Sequence, residues 1–168
     1  MEKSTLGRVN AILYRAIKEI LIFSGLVLIV LTFVGVITRY ILKTQMTWAY
    51  EVSILLLVWV CFLGAAAGVK SKSHVNFDAV INLVPVGLQR FLVILKFILL
   101  ILITGTGMYF GYKVVLKTMA QQFQTIPVPV SALYAALPVS FIPLVLFYLE
   151  EFLTDLRANF GSRKSKEA

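Results

Sequence analysis

The sequence predicts an all-α integral membrane protein, one domain over residues 1–168 with four transmembrane helices and additional amphipathic interfacial helices. Hydrophobic residues make up 60% of the chain and charged residues 14%, whereas soluble domains have about 45–50% and about 25%. Mean hydropathy is +0.90. Four apolar runs each reach the roughly 20 residues that a helix needs to cross a bilayer. Because few charged side chains remain to cover a water-soluble surface, lipid is the expected solvent for most of the chain.

The first apolar run has no charged residue and is predicted to be the first span, residues 20–38. It is too long for the core of a cleavable signal peptide, so we expect it to remain in the mature protein. Residues 1–19 have apolar side chains on one helical face and charged ones on the other. This pattern is typical of a helix lying on a membrane surface. The cations opposite the apolar face, predicted to contact lipid phosphates, are Arg8, Arg15 and Lys18.

The second span is predicted over residues 48–69 and contains Glu51 near its start. A mostly apolar segment at 73–84 follows, with a narrow polar stripe, and is predicted to be an interfacial turn or helix. His74 and Asp78 are four residues apart and can share a helical face. Since no nucleophile, second carboxylate or metal-ligand set accompanies them, a hydrogen-bonded cap is favoured over an acid–base pair.

The third span is predicted to begin after Pro85 and to extend over residues 86–117. Such a helix is about 50 Å long, so it must tilt or protrude from the bilayer. The fourth span is predicted at 130–150 and contains two prolines, Pro138 and Pro143, which should kink it. Residues 151–168 are predicted to form a cytoplasmic tail.

The distribution of Lys and Arg predicts the orientation. They are concentrated before the first span, between the second and third spans (Lys70, Lys72 and Arg90) and in the tail. The other connections carry Arg39, Lys43, Lys113 and Lys117. Because cytoplasmic loops are richer in basic residues, we expect both termini and the middle loop inside. Basic residues in the inner segments are predicted lipid anchors, namely Arg8, Arg15, Lys18, Lys70, Lys72 and Arg90.

Glu51 is the sharpest candidate for chemistry, because a carboxylate inside a span is costly. It lies only about one turn below Trp48, near the outer interface, and close to a helix N-terminus that favours an anion. A structural role is favoured, with Arg39 a plausible ion-pair partner, ahead of a partner contact and of a proton-carrier role. Lys96 is expected to extend its ammonium to the inner surface.

Small residues mark two packing faces, Gly64 to Gly68 in the second span and Gly107 to Gly111 in the third. Spacing small residues four apart lets helix backbones approach closely. The pattern leaves open whether each face meets another span or another subunit.

The sequence offers little for independent transport or catalysis. It shows no internal repeat, no ionisable cluster at mid-membrane, no filter-like motif and no nucleotide-binding motif. It also lacks the set of Cys and His that a structural zinc site needs, since it has one of each. We therefore predict a subunit that supports a partner, with no catalytic site, substrate site, metal or cofactor of its own.

One combination of residues resembles a known family. Trp48–Ala–Tyr–Glu51, then Trp59–Val–Cys–Phe–Leu–Gly64–Ala–Ala, then basic residues, His74 and Asp78, is similar to the small membrane subunit of tripartite ATP-independent periplasmic (TRAP) transporters. The four-span plan extends the resemblance to nearly the whole chain.

The resemblance implies a scaffold role in the bacterial inner membrane. In that family a large subunit performs sodium-coupled, elevator-type import of an organic acid, such as a sialic acid or C4-dicarboxylate, delivered by a periplasmic binding protein. The small subunit braces the large one, so sodium is expected only in the partner. Partner-interface candidates are Trp48, Glu51, Trp59, Gly64, Gly68, His74, Asp78, Gly107 and Gly111. Candidates for docking the binding protein are Arg39, Lys43, Lys113 and Lys117.

Two alternatives remain open. One is an autonomous homo-oligomeric transporter or channel that uses Glu51 as its coupling carboxylate. The other is a membrane-assembly factor without a part in transport.

Overall fold

A computed structural model describes residues 5–44, 46–71 and 86–161, which form five α-helices. The helices are α1 (Thr5–Tyr40), α2 (Thr47–Lys70), α3 (Val86–Thr118), α4 (Ser131–Tyr134) and α5 (Ala136–Gly161). Four stretches are long and apolar enough to cross a membrane, namely Gly7–Tyr40, Thr47–Lys70, Ile94–Thr118 and Ser131–Glu150. The predicted all-α fold class with four long apolar helices is therefore confirmed. The side of the membrane that each end faces stays a prediction, and "inner" and "outer" are used below in that predicted sense.

Helix α1 is continuous over 36 residues, so the predicted surface segment and the first span form one helix. Ile17, on the apolar face of the surface segment, is only 4% exposed because it packs against other helices of the chain. Val9, on the same segment, and Ile20, at the start of the first span, are exposed. At least part of the predicted lipid-facing stripe is therefore a protein contact.

Helix α5 lies at the centre of the fold, because α1, α2 and α3 all pack against it. Helices α1 and α2, which follow each other in the chain, also pack against each other. A cluster of buried apolar residues joins three helices at the inner half of the fold, namely Ile17, Leu63, Val69 and Phe147. The Tyr14 ring meets the Phe147 ring edge-on at 6.4 Å between centroids. Aromatic and aliphatic contacts thus fix α1, α2 and α5 relative to one another.

The glycines of α3 face α5 within the same chain. A Cβ atom on Gly107 would clash with the Phe141 ring, and one on Gly111 would lie 2.5 Å from Leu137 Cδ2. Both approaches are closer than side-chain carbons tolerate, so a larger residue at either position would have to displace Phe141 or Leu137. The second-span face is looser, since a Cβ on Gly64 would be 4.0 Å from Leu21 Cδ2.

The prolines interrupt the fourth span near its outer end. Helix α4 ends at Tyr134, whose carbonyl is four residues before Pro138 and therefore lacks the N–H donor of a regular helix. Backbone hydrogen bonds from Ala135 N to Ser131 O (2.8 Å) and from Val139 N to Ala135 O (3.1 Å) continue across the interruption. Pro143 lies inside α5. The span is thus split into a short outer helix and a long inner one.

Candidate functional site

Glu51 binds the loop that joins α3 to α4. It lies near the start of α2 and is 7% exposed. Its carboxylate accepts hydrogen bonds from the backbone N–H groups of Gln124 (2.9 Å to Oε1), Thr125 (3.0 Å to Oε2) and Ile126 (3.1 Å to Oε2). The Thr125 hydroxyl donates a fourth, at 2.5 Å to Oε2. Successive N–H groups that converge on one anion form a concave binding site of the kind called a nest.

The loop bound by Glu51 is itself folded back as a hairpin, and we call residues 121–130 the outer hairpin loop. Val130 N donates to Gln121 O at 2.9 Å, and Phe123 N donates to Val128 O at 3.2 Å. Gln122 and Pro129 pair as an antiparallel bridge. The N–H groups of 124–126 lie at the turn of this hairpin, where no strand partner is available to them. The carboxylate of Glu51 supplies the missing acceptors.

The ion pair with Arg39 that the sequence made plausible for Glu51 is not formed, although the structure describes both residues. Arg39 is exposed, while the carboxylate is turned toward the outer hairpin loop. Backbone N–H groups satisfy the anion in place of a guanidinium. A sequence cannot reveal this choice directly, because the donors lie 73 to 75 residues away along the chain.

A second polar group joins three helices at the inner end, and we call Asn10, Lys70 and Glu150 the inner polar cluster. Lys70 Nζ lies 2.5 Å from Glu150 Oε2, with each side chain about one quarter exposed. Asn10, fully buried, donates from Nδ2 to the same Glu150 oxygen at 2.7 Å and to Leu146 O at 3.1 Å. The cluster therefore ties α1, α2 and α5 together. Lys70, predicted to be a lipid anchor, also has a partner in its own chain, and its contact with lipid stays a prediction.

Trp59 links α2 to the outer part of the fourth span. Its indole Nε1 donates to Ala132 O at 3.0 Å. Ala132 belongs to the short helix α4 that ends before Pro138, so the indole fixes the interrupted region against α2. Trp48, by contrast, is 46% exposed. Of the two tryptophans predicted at a partner interface, one is engaged within the chain and the other is available.

The four predicted docking cations lie at the same end as the outer hairpin loop. Arg39 and Lys43 are at and just beyond the end of α1, and Lys113 and Lys117 are in the last turns of α3. All four are exposed. Lys113 Nζ also lies 4.4 Å from the centre of the Tyr109 ring. Their location agrees with the predicted outer surface, and their docking role stays a prediction.

The remaining candidates form three groups. Some are exposed, two have contacts within the chain, and the others lie outside the described part. Arg8, Arg15 and Lys18 are exposed on α1, as a lipid-anchoring role requires. Lys96 Nζ lies 5.6 Å from the centre of the Tyr148 ring, a contact within the chain. Gly68 lies in α2, where its carbonyl accepts a hydrogen bond from the Ser71 hydroxyl. Lys72, His74, Asp78 and the segment 73–84 lie outside the described residues, as does the Arg90 side chain.

Sequence reasoning missed Asn10, Thr125 and Glu150. Asn10 is spaced three and seven residues before Leu13 and Ile17, so a polar side chain on an apolar helical face was the available signal. Glu150 and Lys70 are opposite charges that end two spans at the same predicted side of the membrane. Thr125 gave no local signal, because its role depends on the distant Glu51.

The arrangement binds and positions segments of the chain. Among the described residues, no group of three or more His, Cys, Asp or Glu side chains could hold a metal ion. Both carboxylates of the two polar sites are engaged by donors in the chain. These side chains order the outer hairpin loop and join helices.

Comparison with known proteins identifies relatives over most of the chain. The family described as "Tripartite ATP-independent periplasmic transporters, DctQ component" matches residues 28–158. The sialic acid TRAP transporter small permease protein SiaQ of Vibrio cholerae serotype O1 is 25% identical over 128 residues, covering 76% of this chain and 74% of the relative.

Two C4-dicarboxylate TRAP transporter small permease proteins named DctQ are also similar. The Vibrio cholerae protein is 36% identical over 92 residues, covering 54% of this chain and 39% of the relative. The Rhodobacter capsulatus protein is 34% identical over 98 residues, covering 56% and 43%. The matched part of this chain thus spans less than half the length of either DctQ relative.

The family consists of membrane transport components, in agreement with the prediction of a multi-pass protein of the bacterial inner membrane that is not an enzyme. The matched region contains the apolar spans, the tightly packed glycines of α3 and the engaged carboxylate of Glu51. The chain belongs to the DctQ component family of tripartite ATP-independent periplasmic transporters, the small permease subunits of these systems.

Proposed function

We propose that this chain is a scaffold subunit that braces the large, sodium-coupled elevator subunit of a TRAP transporter. The observation that carries the proposal is the state of Glu51. A coupling carboxylate must be free to bind and release an ion or proton, whereas four donors from the chain hold this one. The other buried polar side chains include Thr38 and Thr104, whose hydroxyls donate to their own helices. These hydroxyls are satisfied within the chain, as a static frame requires, whereas buried Ser140 Oγ has no hydrogen-bond partner among the described residues.

Bracing also needs a large apolar contact area. Helices α1 and α3 expose long series of apolar side chains, for example Phe33 at 67% and Leu102 at 61%. Lipid and a second membrane protein can both cover such surfaces. Since Gly107 and Gly111 already face α5, Trp48 and these exposed faces remain the candidates for contact with the large subunit.

The proposed cargo is an organic acid of the sialic acid or C4-dicarboxylate class. The relatives named above serve one or the other class, and no residue of this chain distinguishes them. The proposed partners are the large TRAP membrane subunit, which would hold the sodium ions, and a periplasmic binding protein. Both termini are proposed to be cytoplasmic, on the distribution of Lys and Arg.

The test is reconstitution in proteoliposomes with and without the partners. We expect this chain to co-purify with the large subunit, and we expect uptake only when both membrane subunits and the binding protein are present. The alternative hypothesis is an autonomous carrier. It requires that this chain alone catalyses uptake and that Glu51→Gln abolishes this uptake. Either that uptake or failure to associate with the large subunit would overturn the scaffold proposal.

Docking of the binding protein is tested by charge reversal at the outer end. Replacing Arg39, Lys43, Lys113 and Lys117 by Glu should slow uptake at low binding-protein concentration, because complementary charges accelerate association. The matched control replaces the exposed inner cations Arg8, Arg15 and Lys18 by Glu as well. Equal effects of the two sets would contradict a docking role for the outer cations.

A further inference from the structure

The outer hairpin loop is held in one shape by two independent sets of hydrogen bonds. One set closes the hairpin through Gln121, Phe123, Val128 and Val130. The other fixes its turn to α2 through Glu51. Connecting loops at a membrane surface are ordinarily satisfied by water and need no carboxylate from a transmembrane helix. A loop that is fixed by a costly buried anion is pre-organised to present its outward side chains in a defined arrangement.

The exposed residues of the outer hairpin loop carry no charge. Three of them, Gln121, Gln122 and Gln124, have free-standing polar side chains, although the backbone N–H group of Gln124 is turned inward to Glu51. Thr125 is also exposed, but its hydroxyl donates to Glu51. Glutamine side-chain amides can donate two hydrogen bonds each, and carboxylates accept them. The turn therefore presents donors to whatever lies outside the membrane at this end.

The charge at this end is of one sign. Among the described residues from Arg39 to Val130, Glu51 is the sole acidic residue, and it is buried. The four cations Arg39, Lys43, Lys113 and Lys117 are thus exposed without an exposed carboxylate on the same surface. Such a surface is complementary to an acidic one.

We propose that the outer hairpin loop and the four outer cations form one docking surface for an acidic face of the periplasmic binding protein, and that Glu51 is the positioning residue that holds the loop in its docking shape. The inference rests on the proposed function for the identity of the partner. The outer hairpin loop is then an element that the binding protein contacts, and Glu51 serves docking by holding this loop in place.

The experiment uses photo-crosslinking in the full complex, which does not depend on the identity of the cargo. A photoreactive amino acid is placed at Gln124, whose side chain is exposed and whose backbone N–H is retained. The complex with the large subunit is reconstituted, the binding protein is added, and the crosslinked product is measured. The yield is compared between the otherwise unchanged chain, Glu51→Gln and the control Ser53→Ala. Ser53 lies two residues from Glu51, and its hydroxyl donates only to Ala49 O of its own helix.

We expect a crosslink to the binding protein that Ser53→Ala leaves unchanged and Glu51→Gln lowers roughly tenfold, because an amide N–H₂ group would then face backbone donors. Co-purification with the large subunit should remain at the level of the unchanged chain in both variants. No crosslink to the binding protein, or an equal yield in Glu51→Gln, would overturn the inference. Loss of co-purification by the unchanged chain would instead count against the scaffold proposal.

A second variant decides the matter if Glu51→Gln does not assemble. Gln124→Glu leaves the hydrogen bonds to Glu51 intact and places a negative charge on the exposed turn. Repulsion from an acidic partner should raise the binding-protein concentration for half-maximal uptake roughly fivefold. Gln124→Lys should lower this concentration. An identical concentration for both variants would refute docking at the loop.

Discussion

Two carboxylates in the described part of the chain, Glu51 at the outer end and Glu150 at the inner end, are satisfied by different kinds of donor. Glu51 accepts from consecutive backbone N–H groups and a hydroxyl of one loop. Glu150 accepts from side chains, Lys70 on α2 and Asn10 on α1. The outer arrangement orders a single loop, and the inner one connects three helices. A change at the outer end should therefore have local effects, and a change at the inner end should affect the stability of the whole fold.

The largest effect is expected from Glu150→Lys, which places two cations together in the inner polar cluster. Breaking a buried ion pair costs about 3–5 kcal/mol, and the partial exposure of this pair favours the lower end, about 3 kcal/mol. The thermal unfolding midpoint of the full chain in detergent should fall accordingly. The double variant Lys70→Glu with Glu150→Lys should recover most of the loss. If the single and double variants unfold at the same temperature, the ion pair does not connect the helices as proposed.

A middle-sized effect is expected where the glycines of α3 pack against α5. Gly107→Leu should destabilise the fold by about 2 kcal/mol, because the new side chain must displace the Phe141 ring. Gly105→Leu is the matched control, since nothing lies within 4 Å of a Cβ built at Gly105. The same thermal measurement serves both variants. A Gly105 variant as unstable as the Gly107 variant would indicate that helix propensity or lipid contact, and not packing on α5, decides the result.

The smallest effect on global stability is expected from Glu51→Gln, and it should be confined to the outer hairpin loop. Amide hydrogen exchange at residues 124–126 should accelerate roughly tenfold, because one of the two accepting oxygens is replaced by an NH₂ donor. Exchange in the inner halves of α1, α2 and α5 should stay unchanged. Ser53→Ala should leave the loop amides as they are. Acceleration spread through all helices would contradict the contrast between a local outer site and a connecting inner one.

Local sequence features predicted the elements but not their partners. Hydropathy located four spans, and the spacing of glycines located a packing face on α3. The same reasoning proposed Arg39 as the partner of Glu51, because a guanidinium close in sequence was the obvious candidate. The actual donors are backbone N–H groups, which every non-proline residue possesses and which composition therefore cannot single out. The same reasoning did not pair Lys70 with Glu150, which is 80 residues away.

The sequence by itself determined that this chain lies in a membrane and which four stretches are long and apolar enough to cross it, because the free energy of placing a residue in lipid depends mainly on that residue and its close neighbours. It also determined the asymmetry of Lys and Arg from which the orientation is predicted. Only the tertiary structure decided that α5 is the central helix, that Gly107 and Gly111 face it, and that Glu51 holds the outer hairpin loop. Those outcomes depend on shape and hydrogen-bond geometry between segments distant in the chain.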